Sequence, residues 1–337
     1  MTLSRRLFTA LTLFALAWPA KAVDLDLRMP GSRFMEIGLP SAGGSTQEIA
    51  AAPNGHLWAA QVDTAQLVRV TRIAETRRYP LPKGSMPRGM VFDRAGKLWV
   101  ALEARHTLVE FDIKTGRVLK EYPLTTADQP NIAPHGLCLG PDGKSLWFAA
   151  KGANAIGKFN PENGEVALVP LPNPDTRPHQ VSADREGNVW YTAFEGTVVG
   201  FVNPDGFIFE FPIPEGSGRP QTIVPDPVEA RMWFSLESGG MFASIDTVGN
   251  MSVHSVAKAD TQLTGLGFDG HGRLWLVARS PDLVARVGKD MSVTEWPLPT
   301  LRAGLYRITR GADGNMWFSE SAADKVGYVV DTAEYGK

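Results

Sequence analysis

The sequence contains a single cysteine, Cys138, among 337 residues. This excludes an internal disulfide framework and any metal or iron–sulfur centre built on several cysteines. No block of like charge occurs, and 34 basic residues nearly balance 36 acidic ones. Nucleic acid and an anionic membrane surface are therefore not expected as partners.

The chain also lacks the motifs of common cofactor sites. It has no glycine-rich phosphate loop, no exposed-nucleophile elbow and no CxxCH haem site, so no organic cofactor is expected. Helical periodicity is equally weak, since no 12-residue window beyond the leader shows a convincing 3.6-residue period. Glycine (34) and proline (25) are instead frequent, which is typical of a chain with many turns.

Residues 1–22 resemble a cleaved export signal. Ser4-Arg5-Arg6-Leu7-Phe8 places two arginines before an apolar stretch too short to span a bilayer, and Ala20-Lys21-Ala22 supplies small residues for cleavage. The arginine pair is also similar to the twin-arginine motif, so twin-arginine and general secretory export both stay open. We expect a periplasmic or secreted protein without a membrane anchor after cleavage, and a linker over residues 23–33.

Tryptophan recurs at a nearly constant spacing. The intervals are 41, 48, 43, 43, 42 and 42 residues, between Trp58, Trp99, Trp147, Trp190, Trp233, Trp275 and Trp317. Each tryptophan follows a turn and a short apolar stretch, as in Asp142-Gly143-Lys144-Ser145-Leu146-Trp147. A regular period of this length indicates a repeat architecture.

One period, residues 134–172, contains four short strands separated by turns. Their predicted bounds are 134–139, 145–150, 155–159 and 165–171. The turns are rich in Gly, Asn, Asp and Pro, which accept or preset the backbone angles of hairpins. Four antiparallel strands in about 40 to 45 residues are typical of a β-propeller blade, and seven tryptophans predict seven blades. The tryptophan of the second strand would fill the space between blades.

The last period has only three strands before the chain ends. Its missing outer strand resembles residues 34–40, which match the outer strands of other periods. We therefore predict an all-β, seven-bladed β-propeller over residues 34–337, with four antiparallel strands per blade. The N-terminal strand of the mature chain would close the last blade and cover its edge.

Polar residues occupy one position near the start of every predicted innermost strand. We name them the inner-strand ring: Gln47, Arg88, His135, His179, Gln221, Thr264 and Tyr306. Strand one begins and strand two ends at the same edge of an antiparallel blade, so these side chains should converge on one mouth of the central channel. A strand made only for packing would be apolar here, so the ring predicts a binding surface for a small molecule or peptide. A periplasmic protein is the alternative partner.

The ends of the second strands form a second, mostly apolar set of positions. We name them the second-strand ring: Gln61, Leu102, Ala150, Ala193, Leu236, Ala278 and Glu320. Glu320 is the one carboxylate that this counting places at the mouth. Glu103, Glu195 and Glu237 follow one or two positions later and could reach the mouth or face solvent.

His135 and His179 occupy the same position in adjacent predicted blades, so their imidazoles should lie within several ångströms of each other. Such a pair can bind a divalent metal or act as general acid and base, because histidine titrates near neutral pH. Two hydrogen-bonded structural histidines are the alternative. A metal would also need a carboxylate close by, for which Glu320 is the candidate.

Several motifs resemble the repeat of the virginiamycin B lyase (streptogramin lyase) family. They are Ala133-Pro134-His135-Gly136-Leu137, Leu146-Trp147-Phe148, Asn154-Ala155-Ile156-Gly157-Lys158-Phe159 and Trp317-Phe318-Ser319-Glu320 with Lys325-Val326-Gly327. The resemblance implies a seven-bladed propeller that linearises a cyclic depsipeptide by elimination across its ester linkage. It also implies a divalent cation and an acid–base histidine.

The resemblance further implies roles for single residues. Pro134-His135 and Pro178-His179 match the two Pro-His motifs of the family, which would make His135 a metal ligand and His179 the catalytic acid or base. The family pattern has acids where this chain has Arg177 and Ala193. Glu195 would stand in for the second of these acids, and the first has no obvious replacement.

The sequence leaves two functional hypotheses open. The first is an exported lyase-like enzyme, in which Mg²⁺ or another divalent cation at His135 and Glu320 assists carbon–oxygen elimination by His179 and Glu195. The other polar residues of the mouth would bind the substrate: Gln47, Arg88, Arg177, Gln221, Thr264 and Tyr306. The second is a non-catalytic periplasmic propeller that binds a small molecule, a peptide or a partner protein, which the arginine at 177 favours.

Overall fold

The computed structural model describes residues 33–330. The predicted signal peptide (1–22), nearly all of the predicted linker (23–33) and the C-terminal residues 331–337 lie outside the described residues. Regular structure within 33–330 consists of seven four-stranded antiparallel sheets and one short 3₁₀ helix, Glu103–Arg105. None of the described residues belongs to a helix with the length and apolar character needed to cross a bilayer.

The first four blades follow one another without interruption. Their strands, listed from the channel outward in each blade, are β2 (Thr46–Ala51), β3 (Leu57–Gln61), β4 (Gln66–Val70), β5 (Thr76–Pro80); β6 (Pro87–Phe92), β7 (Leu98–Leu102), β8 (Thr107–Asp112), β9 (Arg117–Pro123); β10 (Pro134–Leu139), β11 (Leu146–Ala150), β12 (Ala155–Phe159), β13 (Val166–Pro170); β14 (Pro178–Ala183), β15 (Val189–Ala193), β16 (Val198–Val202), β17 (Ile208–Pro212). The bounds predicted for the third blade agree with the observed strands to within one residue.

The remaining three blades repeat the same order. Their strands are β18 (Pro220–Pro225), β19 (Met232–Leu236), β20 (Met241–Ile245), β21 (Met251–Ser255); β22 (Gln262–Phe268), β23 (Leu274–Ser280), β24 (Asp282–Val287), β25 (Val293–Pro297); β26 (Leu305–Arg310), β27 (Met316–Glu320), β28 (Lys325–Val329) and β1 (Phe34–Gly38). The structure therefore confirms an all-β propeller with seven blades of four antiparallel strands.

The seventh blade is closed by the N-terminal strand. β1 pairs antiparallel with β28, and Phe34 lies opposite Val329 at one end of the ladder. The Phe34 ring packs edge to face on Phe318, with 5.8 Å between ring centroids. The pairing covers an edge that would otherwise present unpaired N–H and C=O groups.

The seven repeated tryptophans lie between blades, as predicted, and each is at most 9% exposed. In five blades the indole N–H donates to an aspartate of the preceding turn over 2.8–3.1 Å: Asp93–Trp99, Asp184–Trp190, Asp226–Trp233, Asp269–Trp275 and Asp313–Trp317. The same aspartate orders its turn. In the fourth blade, Asp184 Oδ1 accepts the backbone N–H groups of Glu186 and Asn188, both at 2.9 Å. One carboxylate thus joins a turn to the packing between blades.

Removing this carboxylate should destabilise the propeller. We expect Asp184→Ala to lower the free energy of unfolding by about 2 kcal/mol, because the buried indole N–H and the turn amides lose their acceptor. Urea denaturation followed by far-UV circular dichroism measures the change. Asp128→Ala is the matched control, because Asp128 is exposed and makes no side-chain hydrogen bond with a described residue. Equal effects of the two substitutions would contradict the role given to Asp184.

Candidate functional site

A bulge near the start of each innermost strand directs side chains into the channel. The pairing of the first and second strands shifts register in every blade, for example between Pro134 and Leu137 and between Pro178 and Gln180. Bulged residues leave the hydrogen-bonded ladder and re-aim their side chains. The bulges contain the inner-strand ring, which explains why these residues are polar within otherwise apolar strands.

The two ring histidines are in contact, as the sequence predicted. The imidazole centroids of His135 and His179 lie 4.1 Å apart with an interplanar angle of 36°. His135 Nδ1 lies 2.9 Å from the backbone oxygen of His179, and His179 Nδ1 lies 3.4 Å from that of Gln221. A carbonyl oxygen can only accept, so each Nδ1 carries the proton and each Nε2 is left as an acceptor. Tyr306 Oη lies 3.3 Å from His179 Nε2 and can donate to it.

Both imidazoles are neutral bases at neutral pH. Burial is the main cause that lowers the pKa of His135 well below its ordinary value, and the cations Arg88 and Lys151 lower it further. Burial likewise lowers the pKa of His179, with additional contributions from His135 and Arg307. A buried imidazole resists protonation because its charged form loses hydration. Each ring therefore presents a lone pair on Nε2.

A buried arginine crosses the channel directly below the histidines. Arg307, 5% exposed, donates from Nε to the Glu48 carboxylate over 3.0 and 3.2 Å. One Nη group donates to the Thr222 hydroxyl, and the other donates to Gln180 Oε1 over 2.6 Å. These contacts join the seventh blade to the first, fourth and fifth. Arg307 and its three partners therefore form a floor beneath the mouth, and we name the mouth and this floor together the cup.

The sequence reasoning missed these floor residues. Glu48, Gln180, Thr222 and Arg307 each follow a member of the inner-strand ring by one position. A regular strand would point that next residue away from the channel, because side chains alternate. The bulge breaks the alternation, so both residues reach the axis. The sequence did contain a signal for them, because a polar residue directly follows the ring residue in these four blades.

The remaining members of the inner-strand ring make different contacts. Arg88 donates to Gln47 Oε1 and forms an ion pair with Glu103, with 2.5 Å between Nε and Oε2. Gln221 is buried and offers its backbone oxygen to His179. The Thr264 hydroxyl donates to the backbone oxygen of the first residue of β26 over 2.8 Å, so it holds two blades together. Gln47 and Arg88 remain side chains of the mouth.

Two of the predicted residues lie on the rim of the cup. Glu195 forms an ion pair with Arg219 over 3.3 Å, and this arginine covers the ring of Phe194 at 5.0 Å. The Phe194 centroid lies 5.6 Å from that of His179, so an aromatic wall stands between the rim and the histidine. Arg177 is exposed, and its side chain makes no hydrogen bond or ion pair within the described part of the chain. A groove of about 420 Å³, lined partly by Arg219, continues along the rim.

The structure corrects the position predicted for Glu320. All seven members of the second-strand ring are fully buried, because the second strand lies behind the first and its end packs between blades. Burial raises the pKa of Glu320 to about 9; Glu36 adds to the rise and Lys325 opposes it. Both Glu320 oxygens lack a hydrogen-bond partner while the carboxyl is ionised. Glu320 is therefore a protonated side chain of the seventh blade, able to share its proton with Glu36.

The residues of the mouth do not fit a divalent cation. No three His, Cys, Asp or Glu side chains in residues 33–330 come together as a metal centre requires. His135 has the cations Arg88, Lys151 and Arg307 as its charged neighbours, and Glu320 is among a different set of charges. A divalent cation needs carboxylate ligands close to the histidine, whereas guanidinium groups repel it. The predicted metal at His135 and Glu320 is not favoured by this geometry.

Comparison with known proteins identifies the family. The family model described as "Virginiamycin B lyase family" matches residues 28–230 and 197–336. Together these matches cover most of the chain. The chain belongs to the virginiamycin B lyase family.

Individual members of the virginiamycin B lyase family are distant relatives. The "Virginiamycin B lyase" of Nocardia farcinica is 25% identical over 230 residues, which cover 68% of this chain and 76% of the relative. That of Bordetella pertussis is 32% identical over 59 residues, which cover 18% of this chain and 20% of the relative. Identity at this level is compatible with a changed site in an unchanged fold.

Solved lyases of the same family share the fold. A streptogramin B lyase structure superposes with a TM-score of 0.80 at 21% identity, and covers 88% of this chain and 96% of that one. A catalytically inactive virginiamycin B lyase from Staphylococcus aureus with quinupristin gives a TM-score of 0.80 at 22% identity, and covers 88% of this chain and 98% of that one. These similarities establish the propeller. The roles of His135, His179, Glu195 and Arg177 remain predictions.

The corrected position of Glu320 predicts a pH-dependent stability. The folded carboxyl stays protonated up to about pH 9, whereas the unfolded chain loses the proton near the ordinary pKa of 4.5. The folded state thus binds more protons between these values, and stability falls as pH rises through this window. Glu320→Gln removes that titration. We expect the variant to gain on the order of 2 kcal/mol over the parent at pH 8 and little at pH 5.

Urea denaturation at the two pH values measures this difference. The control is Glu186→Gln, because Glu186 is exposed in a turn at the opposite end of the channel. Its effect on stability should be the same at pH 5 and pH 8. If the effect of Glu320→Gln on stability were also the same at the two pH values, the conclusion that the Glu320 carboxyl is buried and protonated would be wrong.

Proposed function

We propose that this protein is an exported carbon–oxygen lyase that opens an ester-containing ring at the channel mouth. The observation that carries the proposal is the neutral His179, whose Nε2 lies 3.3 Å from Tyr306 Oη above the floor of the cup. Membership of the virginiamycin B lyase family supports the reaction class. The predicted leader over residues 1–22 supports export.

His179 would exchange the proton in this reaction. Its Nε2 lone pair takes the proton from the carbon next to a carbonyl group, and the electron pair of the C–H bond forms a carbon–carbon double bond. The bond between the β-carbon and the ester oxygen breaks, and the oxygen leaves as a carboxylate. In a ring both products stay in one molecule, so its mass does not change. The low pKa of His179 keeps the base unprotonated at neutral pH.

The neighbouring groups suit the charges that develop. The Tyr306 hydroxyl can donate to the lone pair of His179 Nε2 in the free protein, and would turn away from it when this lone pair takes the substrate proton. The ester oxygen leaves as an anion, and Arg88, Lys151 and Arg177 provide positive charge around the mouth. Fixed charges in a site shielded from water stabilise such an anion more than they would in bulk solvent. Cationic side chains, and not a resident metal, would therefore stabilise the leaving group.

A cyclic depsipeptide is the substrate class that the relatives suggest. One solved member of the family carries quinupristin, and the curated relatives are named virginiamycin B lyases. The aromatic rings of Phe194 and Tyr306 beside His179 suit a ligand with apolar side chains. Quinupristin is therefore a suitable first probe, and other cyclic esters follow from the same chemistry.

The reaction predicts a ring-opened product of unchanged mass. We expect the purified protein to convert quinupristin, or a synthetic cyclic depsipeptide, to a linear isomer with a new double bond. Liquid chromatography with mass spectrometry distinguishes this isomer from a hydrolysis product, which gains one water. His179→Ala should lower the rate at least 100-fold, because the base is lost.

His56→Gln is the control for that substitution, because His56 lies in a turn at the opposite end of the channel. It should leave the rate unchanged. Tyr306→Phe should lower the rate less than His179→Ala does and should shift its pH profile. Turnover that survives in His179→Ala would refute the role proposed for this residue.

The cationic mouth predicts activity without a divalent ion. We expect turnover and melting temperature to stay the same after dialysis against EDTA and after addition of magnesium or manganese. The reason is that Arg88, Lys151 and Arg307 surround the histidines, where a metal centre would need carboxylates. Activity that is lost in EDTA and restored by magnesium would contradict this prediction and support a metal bound at His135.

A non-catalytic binding propeller is the second candidate. It is favoured by Arg177 on the rim, and by the absence among residues 33–330 of three His, Cys, Asp or Glu side chains grouped as a metal site. In that case the mouth would bind a small molecule, a peptide or a periplasmic protein without changing it. Saturable binding of intact quinupristin that is weakened by His179→Ala, with no isomer formed over hours, would support this candidate.

A further inference from the structure

One carboxylate at the channel mouth is shared by two cations. Glu103 accepts from Arg88 Nε over 2.5 Å through one oxygen and lies 3.2 Å from Lys151 Nζ through the other. Glu103 is 13% exposed, Arg88 15% and Lys151 34%, so the group is largely shielded from water. Arg88 uses a further N–H group on the neutral amide of Gln47. One positive charge of this group therefore has no anionic partner.

The same imbalance continues around His135. Arg88 on β6, Lys151 after β11 and Arg307 on β26 are the cations whose charge acts on this imidazole, and its remaining neighbour, His179 on β14, is neutral. Within residues 33–330, two carboxyl groups, Glu103 and Glu48, pair with these three cations. A buried region with excess positive charge is costly unless an anion completes it.

One polar atom of the region is left without a protein partner. His135 is 5% exposed, its Nδ1 donates to the backbone of His179, and its Nε2 makes no hydrogen bond with a described residue. Arg88 and Lys151, whose charges act on this imidazole, carry N–H groups that can bind an anionic oxygen atom beside it.

We infer that Arg88 and Lys151, next to His135, form a binding site for the carboxylate of an organic acid at one side of the channel mouth. The inference rests on the proposed function only in taking the mouth as the ligand site, and it holds for an enzyme or for a binding protein. Phe194 and Tyr306, the aromatic side chains beside His179, would contact the rest of the acid. In a lyase, the site would hold the carboxylate that elimination releases.

The test compares N-acetylphenylalanine with its neutral amide, N-acetylphenylalaninamide, by isothermal titration calorimetry at pH 7 and constant ionic strength. We expect the acid to bind at least tenfold more tightly than the amide. Lys151→Met should remove this preference and Lys151→Arg should retain it. Lys83→Met is the matched control, because Lys83 is exposed in a loop and has no partner in the described chain.

Three results would overturn the inference: equal affinity for acid and amide, a preference that survives Lys151→Met, or tighter binding of inorganic phosphate than of the acid.

The outcome is separable from that of the proposed function. His179→Ala should abolish ring opening and yet keep the preference for the acid, because His179 is not a donor of the carboxylate site. If the acid preference is missing while ring opening proceeds, the inference is wrong and the lyase proposal stands. If the acid preference is present and no ring opening occurs, the inference stands and the lyase proposal is wrong.

Discussion

The structure of the mouth depends on the guanidinium group of Arg307. It pairs with Glu48 and donates to Gln180 and Thr222, so a single side chain joins four of the seven blades across the axis. An arginine suits this place because its planar group presents several N–H donors in fixed directions. Removing one partner would leave an uncompensated buried charge, which is much costlier than losing a surface ion pair. We therefore expect the loss of any one of these four side chains to destabilise the whole floor.

The charge of Arg307 adds to the effect of burial on the two histidines above it. Burial and the surrounding cations lower the pKa values of His135 and His179, so that both rings present unprotonated nitrogen at neutral pH. A dication would compete with this positive charge, whereas an anion would relieve it. This electrostatic condition supports the proposed roles of a neutral base and of an anionic ligand group. The propeller fold is thus combined with a mouth that carries several cationic side chains.

Sequence reasoning predicted the fold well because the propeller repeats one local rule seven times. The tryptophan period, the turn residues and the spare N-terminal strand each depend on short-range patterns, which one period after another confirms. The contact between His135 and His179 followed from the same symmetry. Glu320 and Arg307 could not be placed in this way. Counting along strands assumes regular alternation, and a bulge in every innermost strand violates it. The depth of the second strand, which buries Glu320, is likewise invisible in a linear count.

The closure of the seventh blade has a consequence for biosynthesis. Phe34 pairs with Val329, so the first strand of the ring meets its partner only after almost the whole chain has been made. Until then β28 presents a free edge, and the apolar face that Phe34 later covers on Phe318 stays open to water. Loop closure over such a distance is slow, and an exposed edge invites association with other chains. A chain that is still being synthesised therefore exposes this edge until its two ends meet.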